Sequence, residues 1–128
     1  KQIQSILYLS KSLMKKYKIK SSNVLGHSDI APFRKKDPGE KFPWQYLAKF
    51  GIGKWYSLSS KKLKEKRIKK IKIMEEKIFY KNLFKIGYPK KVLNKKKLVN
   101  AFQRRYRQDL INGKIDQECL IISKNLAK

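Results

Sequence analysis

The 128-residue sequence predicts an α/β fold followed by a small module of three short helices. Three observations carry that expectation. An amphipathic helical pattern opens the chain, a short apolar pair follows as a buried strand, and the last fifty or so residues hold three apolar patterns separated by turn residues.

The elements follow in order. Ile3, Ile6, Leu7, Leu13, Met14 and Tyr17 fall at helical spacing, with Lys11, Lys15, Lys16 and Lys18 on the other side, so this helix is expected to pack against something. Ser21-Ser22-Asn23 breaks it. Val24-Leu25 reads as a short buried strand that delivers Gly26-His27 to a loop over residues 28–43, rich in Pro, Gly and charge. Pro43 suits the first turn of a helix whose apolar face is Trp44, Leu47, Ala48 and Phe50, and Gly51 stops it. Ile52 to Ser60 connects. From Lys61 to Lys97 there are 16 Lys or Arg against three Glu, and Lys61–Lys77 reads as a basic linker or exposed helix with a solvated charged surface. Ile78, Phe79, Leu83, Phe84 and Ile86 begin the first tail helix, which Gly87-Tyr88-Pro89 ends; Leu98, Val99, Phe102 and Tyr106 mark the second. Asn112-Gly113 is a turn, and Asp116 is an N-cap for a last helix bearing Leu120, Ile121 and Leu126. The division expected is 1–60, a basic linker at 61–77, and a three-helix module at 78–128.

Composition narrows the function. Lys and Arg number 34 against 9 Asp and Glu, a formal charge of +25. Such a charge attracts polyanions through counterion release. The cations are overwhelmingly Lys, and only Arg34, Arg67, Arg104, Arg105 and Arg107 offer the planar fork favoured in specific nucleic-acid readout. Lys, Ile and Asn share A/T-rich codons, so a biased genome alone loads solvated positions with Lys. A cationic surface without a specific nucleic-acid partner is the expectation. No apolar run is long enough to span a membrane. The single cysteine, Cys119, stands among Leu120, Ile121 and Ile122 and reads as a buried structural thiol.

The chemistry concentrates in GHSDIAPFRKKDPG, Gly26 to Gly39. It holds the only histidine, His27, followed by Lys35 and Asp37 between turns at Ala31-Pro32 and Asp37-Pro38-Gly39. A neutral imidazole and a carboxylate are two of the three protein ligands a catalytic zinc ion takes, with a fourth position left to water. A lysine two residues from the carboxylate is placed to stabilise an oxyanion. Spacing alone leaves a purely structural His and Asp open.

The longer run GHSDIAPFRKKDPGEKFPW closely resembles the zinc motif of the type-2 N-acetylmuramoyl-L-alanine amidases, a family that includes the anhydromuramyl amidases of bacterial wall recycling and is related to phage amidases and peptidoglycan recognition proteins. The match takes in His27, Ser28, Asp29, Ile30, Ala31, Pro32, Arg34, Lys35, Asp37, Pro38, Gly39, Phe42 and Trp44; Glu40 departs, where the family commonly has Pro. The resemblance implies that His27 and Asp37 bind zinc and that Lys35 stabilises the oxyanion. It places Asp29 and Arg34 near the substrate or the ligand loop, with a turn cap or loop salt bridge as the alternative for each, and Phe42 and Trp44 beneath the loop. Ile78–Tyr88, Ala101–Arg107 and Asn112–Asp116 resemble a three-helix peptidoglycan-binding module, with Asn112 where Asp is usual. An amidase followed by such a module resembles the outer-membrane-associated amidases of Gram-negative bacteria.

The resemblance implies the C-terminal half of a zinc amidase domain, with a mixed sheet and flanking helices, followed by the module. The cofactor implied is Zn2+, the partner peptidoglycan or a muropeptide, and the reaction hydrolysis of the amide between N-acetylmuramic acid and L-alanine. The implied place is the cell envelope, periplasmic or held at the outer membrane through a missing N-terminus, with the cytoplasm as the alternative. The family's pattern also needs a first zinc histidine and a catalytic glutamate, both expected before residue 1. Glu65, Glu75 and Glu76 fall on the wrong side of the motif, and there is no second histidine. The 128 residues alone are therefore expected to bind zinc poorly and to lack amidase activity; the competing expectation is a non-catalytic peptidoglycan-binding remnant.

Overall fold

A computed structural model describes residues 1–128 as a wholly helical chain. The helices are α1 (Gln2–Tyr17), α2 (His27–Ile30), α3 (Trp44–Ala48), α4 (Ser60–Lys66), α5 (Ile73–Ile86), α6 (Lys95–Tyr106) and α7 (Gln117–Leu126), with one 3-10 turn at Ser21–Asn23. There is no strand, so the expected α/β fold with a mixed sheet is corrected to an all-helical one. The reason is local geometry without a partner. Val24 has extended dihedrals, φ −94° and ψ 105°. A strand exists only through a ladder of hydrogen bonds to a second extended segment, and none of the 128 residues supplies one. Nor is Val24-Leu25 buried: Leu25 is exposed.

The first helix departs from expectation in a related way. It forms as its periodicity requires and ends at a left-handed Lys18, whose N–H side of the turn closes on the Met14 carbonyl. Yet none of its residues is buried, and Ile3, Leu9, Leu13 and Tyr17 stay exposed. Its apolar stripe is covered only in part within these residues, with Ile6, Leu7 and Met14 half-buried.

The core lies in the tail. Phe79 and Leu83 of α5, Leu98, Val99, Ala101, Phe102 and Tyr106 of α6, and Cys119, Leu120, Ile122 and Leu126 of α7 form one buried cluster with Leu63 and Tyr88. Phe102 is its centre, edge-on to Phe79 at 5.1 Å and tilted against Tyr106 at 5.3 Å. The tail helices end and begin where turn chemistry directs. Gly87 caps α5 at φ 124°, the Asn94 side chain accepts from the Lys97 N–H, and the Asp116 side chain accepts from the Cys119 N–H at 3.0 Å. Cys119 is buried, and that burial pushes its thiol up to about 11, which leaves it inert as a nucleophile.

The basic stretch from Lys61 to Lys77 is more structured than its charge alone indicates. Leu63 on α4 enters the core, and α5 begins at Ile73 with the Glu75 carboxylate accepting from the Lys72 N–H at 2.9 Å. Arg67 donates to two acids at once, to Glu118 through Nε at 2.8 Å and to Asp109 through Nη1 at 2.8 Å. Arg107 completes the network from the other side, donating to Asp116 at 2.5 Å and to Glu118 at 3.1 Å. Burial raises the Asp116 carboxyl, but the Cys119 N–H and the Arg107 guanidinium outweigh it and hold it below its ordinary value.

Candidate functional site

The motif from Gly26 to Gly39 folds into two turns that meet. His27 opens α2, and the residues between Ile30 and Trp44 return so that the Ser28 N–H donates to the Asp37 carbonyl at 3.0 Å. That bond sets the His27 and Asp37 side chains face to face: Nδ1 and Oδ2 are 2.5 Å apart. Gly26 is needed here because a Cβ would stand 2.5 Å from the Pro38 ring. The His27 hydrogen bond holds the Asp37 carboxyl below its ordinary range, and Lys35 adds to that effect through space.

Both side chains are open to solvent, 70% and 59% exposed. They share an open concavity of about 250 Å3 whose floor is Phe42 and Trp44. The two rings are 4.7 Å apart, and Trp44 is buried. No third His, Cys, Asp or Glu joins the pair in a cluster able to hold a metal ion. The donor chemistry, an imidazole nitrogen and an ionised carboxylate converging at an accessible point, fits two positions of a zinc site.

The remaining motif residues sort by burial. Asp29, 8% exposed, turns inward. Its Oδ2 accepts from the Gly26 N–H at 2.9 Å, capping α2, and its Oδ1 accepts from the Tyr88 hydroxyl at 3.0 Å. Arg105 of α6 lies 3.3 Å from the same carboxylate and stacks 3.5 Å over the Trp44 ring. The motif is thus fastened to the tail through Asp29 and Trp44. Arg34 and Lys35 follow from backbone bonds to the Ala31 carbonyl and line a neighbouring groove of about 340 Å3, on whose far wall stand Lys96, Lys97 and Arg104 of α6.

Arg105 and Tyr88 are contributions that the motif by itself did not disclose. In the sequence their neighbourhood reads only as part of a helical module. A guanidinium beside Phe102 and Tyr106 in an apolar pattern was the available signal, because a cation on a buried face demands a partner.

Tail motif residues are likewise absorbed by structure. The fully buried Gln103 accepts from the Asn112 and Gly113 N–H groups at 3.0 and 2.9 Å and donates to the Lys114 carbonyl at 2.9 Å, pinning the turn before α7. Gly113 occupies that turn at φ 69°.

No family model matches the chain. Individual proteins do, and they place it among the homologues of the AmiD and AmpD N-acetylmuramoyl-L-alanine amidases. It is 35% identical over 129 residues to N-acetylmuramoyl-L-alanine amidase AmiD of Escherichia coli (strain K12), an alignment that takes in 98% of this chain and 47% of AmiD. It is 42% identical over 43 residues to the 1,6-anhydro-N-acetylmuramyl-L-alanine amidase AmpD of Enterobacter cloacae, covering 34% of this chain and 23% of AmpD. Among solved structures, E. coli AmiD in complex with anhydro-N-acetylmuramic acid-L-Ala-D-gamma-Glu-L-Lys superposes with a TM-score of 0.81 at 35% identity over 98% of this chain and 50% of that one. AmpDh3 from Pseudomonas aeruginosa gives 0.80 at 30% identity over 98% of this chain and 51% of that one. The chain spans about half the length of AmiD. No helix is long and apolar enough to cross a membrane.

Proposed function

We propose that this chain is the part of a zinc-dependent N-acetylmuramoyl-L-alanine amidase that carries His27, Asp37 and Lys35, acting on the amide between N-acetylmuramic acid and L-alanine in peptidoglycan or muropeptides at the bacterial cell envelope. The observation that carries this reading is the His27–Asp37 pair at 2.5 Å in an open cavity, on a chain that aligns with AmiD over nearly its whole length.

His27 and Asp37 would hold the zinc ion, and a further protein donor and a general base would come from outside these 128 residues, because only two donors converge here. When bound, zinc supplies Lewis acidity toward the scissile carbonyl. Asp37, kept ionised by its neighbours, is ready as an anionic donor without first losing a proton near neutral pH. Lys35 places a fixed positive charge near the carboxylate, where charge develops on the carbonyl oxygen as an amide is attacked. Phe42 and Trp44 give the cavity an apolar floor. The helical tail holds this loop in place and is the surface we assign to the wall polymer.

The convergence of only two donors favours one other reading for the 128 residues taken alone, a peptidoglycan-binding remnant without catalysis. One experiment separates them. The natural product is purified from its source cell, its intact mass and zinc content are measured, and release of stem peptide from muropeptide is followed with and without a chelator. Chelator-sensitive release with one zinc per chain supports the amidase. Peptidoglycan binding with neither zinc nor release supports the remnant.

A further inference from the structure

We propose that the loop between α4 and α5, together with the first turn of α5, docks on a membrane of anionic lipid. Ile68, Ile73 and Met74 enter the apolar boundary of the bilayer, and the lysines beside them meet the headgroups. None of these residues lines the cavity of His27 and Asp37, so the inference stands apart from the amidase reading above.

The run from Lys66 to Ile78 interleaves lysines with large apolar side chains. An apolar side chain stabilises a fold only where it leaves water. Ile71 does so, packed against the tail core. Ile68, Ile73 and Met74 do not, and stand 75%, 76% and 67% exposed. Lys66, Lys69, Lys70, Lys72 and Lys77 around them are exposed as well. The acids of the run are turned to other uses. Glu75 accepts from the Lys72 N–H at 2.9 Å and meets the Gln117 amide at 3.3 Å, and Glu76 is half-buried and acts on Tyr80. Glu65, on α4 just before the run, is exposed. The patch is therefore apolar at its tip and cationic around it.

The backbone at this patch is strained and firmly held. Ile68 has φ 67°, in the left-handed region that a β-branched residue adopts only at a cost. Glycine or asparagine would sit there more easily. The loop around it is not loose. Arg67 grips Glu118 and Asp109, the Ile68 N–H donates to Asp116 at 3.1 Å, and the Lys69 carbonyl accepts from the Gln117 N–H at 2.9 Å. The Gln117 side chain donates to the Lys70 carbonyl at 3.1 Å and also reaches Glu75, so the loop is fastened where α5 and α7 both begin. These ties hold a strained isoleucine out in water. Nothing inside the fold gains from that arrangement, whereas burial against an outside surface does.

Charge and shape select the occupant. A bilayer with anionic lipid presents negative headgroups over hydrocarbon, the same layering in reverse order of approach: lysines stay with the headgroups while aliphatic tips pass between them. A second copy of this chain fits poorly, because it would bring a further +25 of like charge to the contact. A nucleic acid answers the lysines but not the apolar tips. Bases stack on aromatic rings, and the run from Lys66 to Ile78 has none.

The test is sedimentation of the intact protein with vesicles of phosphatidylethanolamine and phosphatidylglycerol, with phosphatidylcholine vesicles as the uncharged comparison. Binding to the anionic vesicles is expected, with a part that survives high salt, since apolar insertion is not screened. Ile73→Ser/Met74→Ser changes two exposed side chains, so folding is expected to survive, as checked by circular dichroism, and binding should weaken at least about tenfold. Ile68→Asn should also weaken binding while leaving the urea midpoint equal or higher, because asparagine relieves the strain. Loss of affinity without loss of stability is what a folding defect does not produce. Lys69→Gln/Lys70→Gln/Lys72→Gln should weaken binding at least about tenfold at low salt. Lys15→Gln/Lys16→Gln/Lys20→Gln removes the same charge elsewhere and should weaken it no more than about threefold. Equal losses in the two lysine variants, or unchanged binding in the folded Ile73→Ser/Met74→Ser protein, would mean that overall cationic charge does the work, and overturns the proposal. No vesicle binding, with a dimer that Ile73→Ser/Met74→Ser abolishes, makes the patch a contact between copies and overturns it. A short oligothymidylate bound in place of vesicles, and weakened by the Lys69→Gln/Lys70→Gln/Lys72→Gln changes alone, overturns it as well.

Discussion

The two ends of this chain differ in how they are held. Every one of the buried cluster's 13 residues lies at position 63 or later. Before that, the buried apolar side chains are Trp44, Leu47 and Ile52 alone. The tail folds around its own aromatic core. The motif region instead borrows its order from the tail through discrete polar ties: Tyr88 and Arg105 to Asp29, Arg105 to Trp44, the Gln108 amide to the Phe42 carbonyl at 2.8 Å, and the Asn125 amide oxygen to the Ser57 N–H at 2.9 Å. A loop carrying reactive groups need not have a core of its own if a packed neighbour supplies its anchors.

That contrast can be broken most severely from the tail side. Phe102→Ala removes the ring at the centre of the cluster and is expected to cost about 3–5 kcal/mol, unfolding both regions together in a urea titration. Arg105→Ala is expected to cost less, about 2 kcal/mol, since it uncovers the Trp44 face and strips a buried carboxylate of its cation. Its signature is regional. Amide hydrogens around residues 27–50 should exchange faster while those of α5 and α7 hold, and equal acceleration everywhere would show that the motif is not held by the tail in this way. Tyr88→Phe tests the same tie by one hydroxyl, with an expected loss of about 1 kcal/mol and the same exchange pattern in weaker form.

Acid sharpens the comparison from another direction. Arg67 lowers the Asp109 carboxyl, and Asp116 also lies below its ordinary value. A carboxyl whose folded value is depressed stabilises the fold above its unfolded value of about 4, and that contribution is lost as pH falls through the folded value. The urea midpoint of the tail is therefore expected to fall below about pH 4, and Asp116→Asn should flatten that slope while lowering the midpoint at neutral pH. The smallest effect belongs to α1. Leu9→Ala changes an exposed side chain and should shift stability by less than about 0.5 kcal/mol in these 128 residues. A larger loss in the natural product would show that the α1 stripe is covered there.

Local chemistry was legible in advance wherever it acts over a few residues. Asp116 caps α7 because a carboxylate next to a helix start accepts the nearest free N–H, and Gly87 ends α5 because the chain turns there at positive φ. His27 and Asp37 belong to one short motif whose turns fold it back on itself; their spacing left a structural pair open, and it was the resemblance of the whole run that nominated them as ligands. The nominated Asp29 and Arg34 illustrate what spacing leaves open, since one points inward to a cap and the other lines a cationic wall.

What the sequence by itself determined was therefore the helices of the tail, their caps and stops, and the loop that joins His27 to Asp37, because propensity, capping and turn geometry depend on near neighbours. Only the tertiary structure decided that Val24-Leu25 pairs with nothing, that Arg67 and Leu63 in a basic run turn inward, and that Asp29 meets Arg105 and Tyr88. A strand, a buried ion pair and a groove each need a partner from a distant stretch of chain. Whether such a partner arrives is set by packing, which no local pattern encodes.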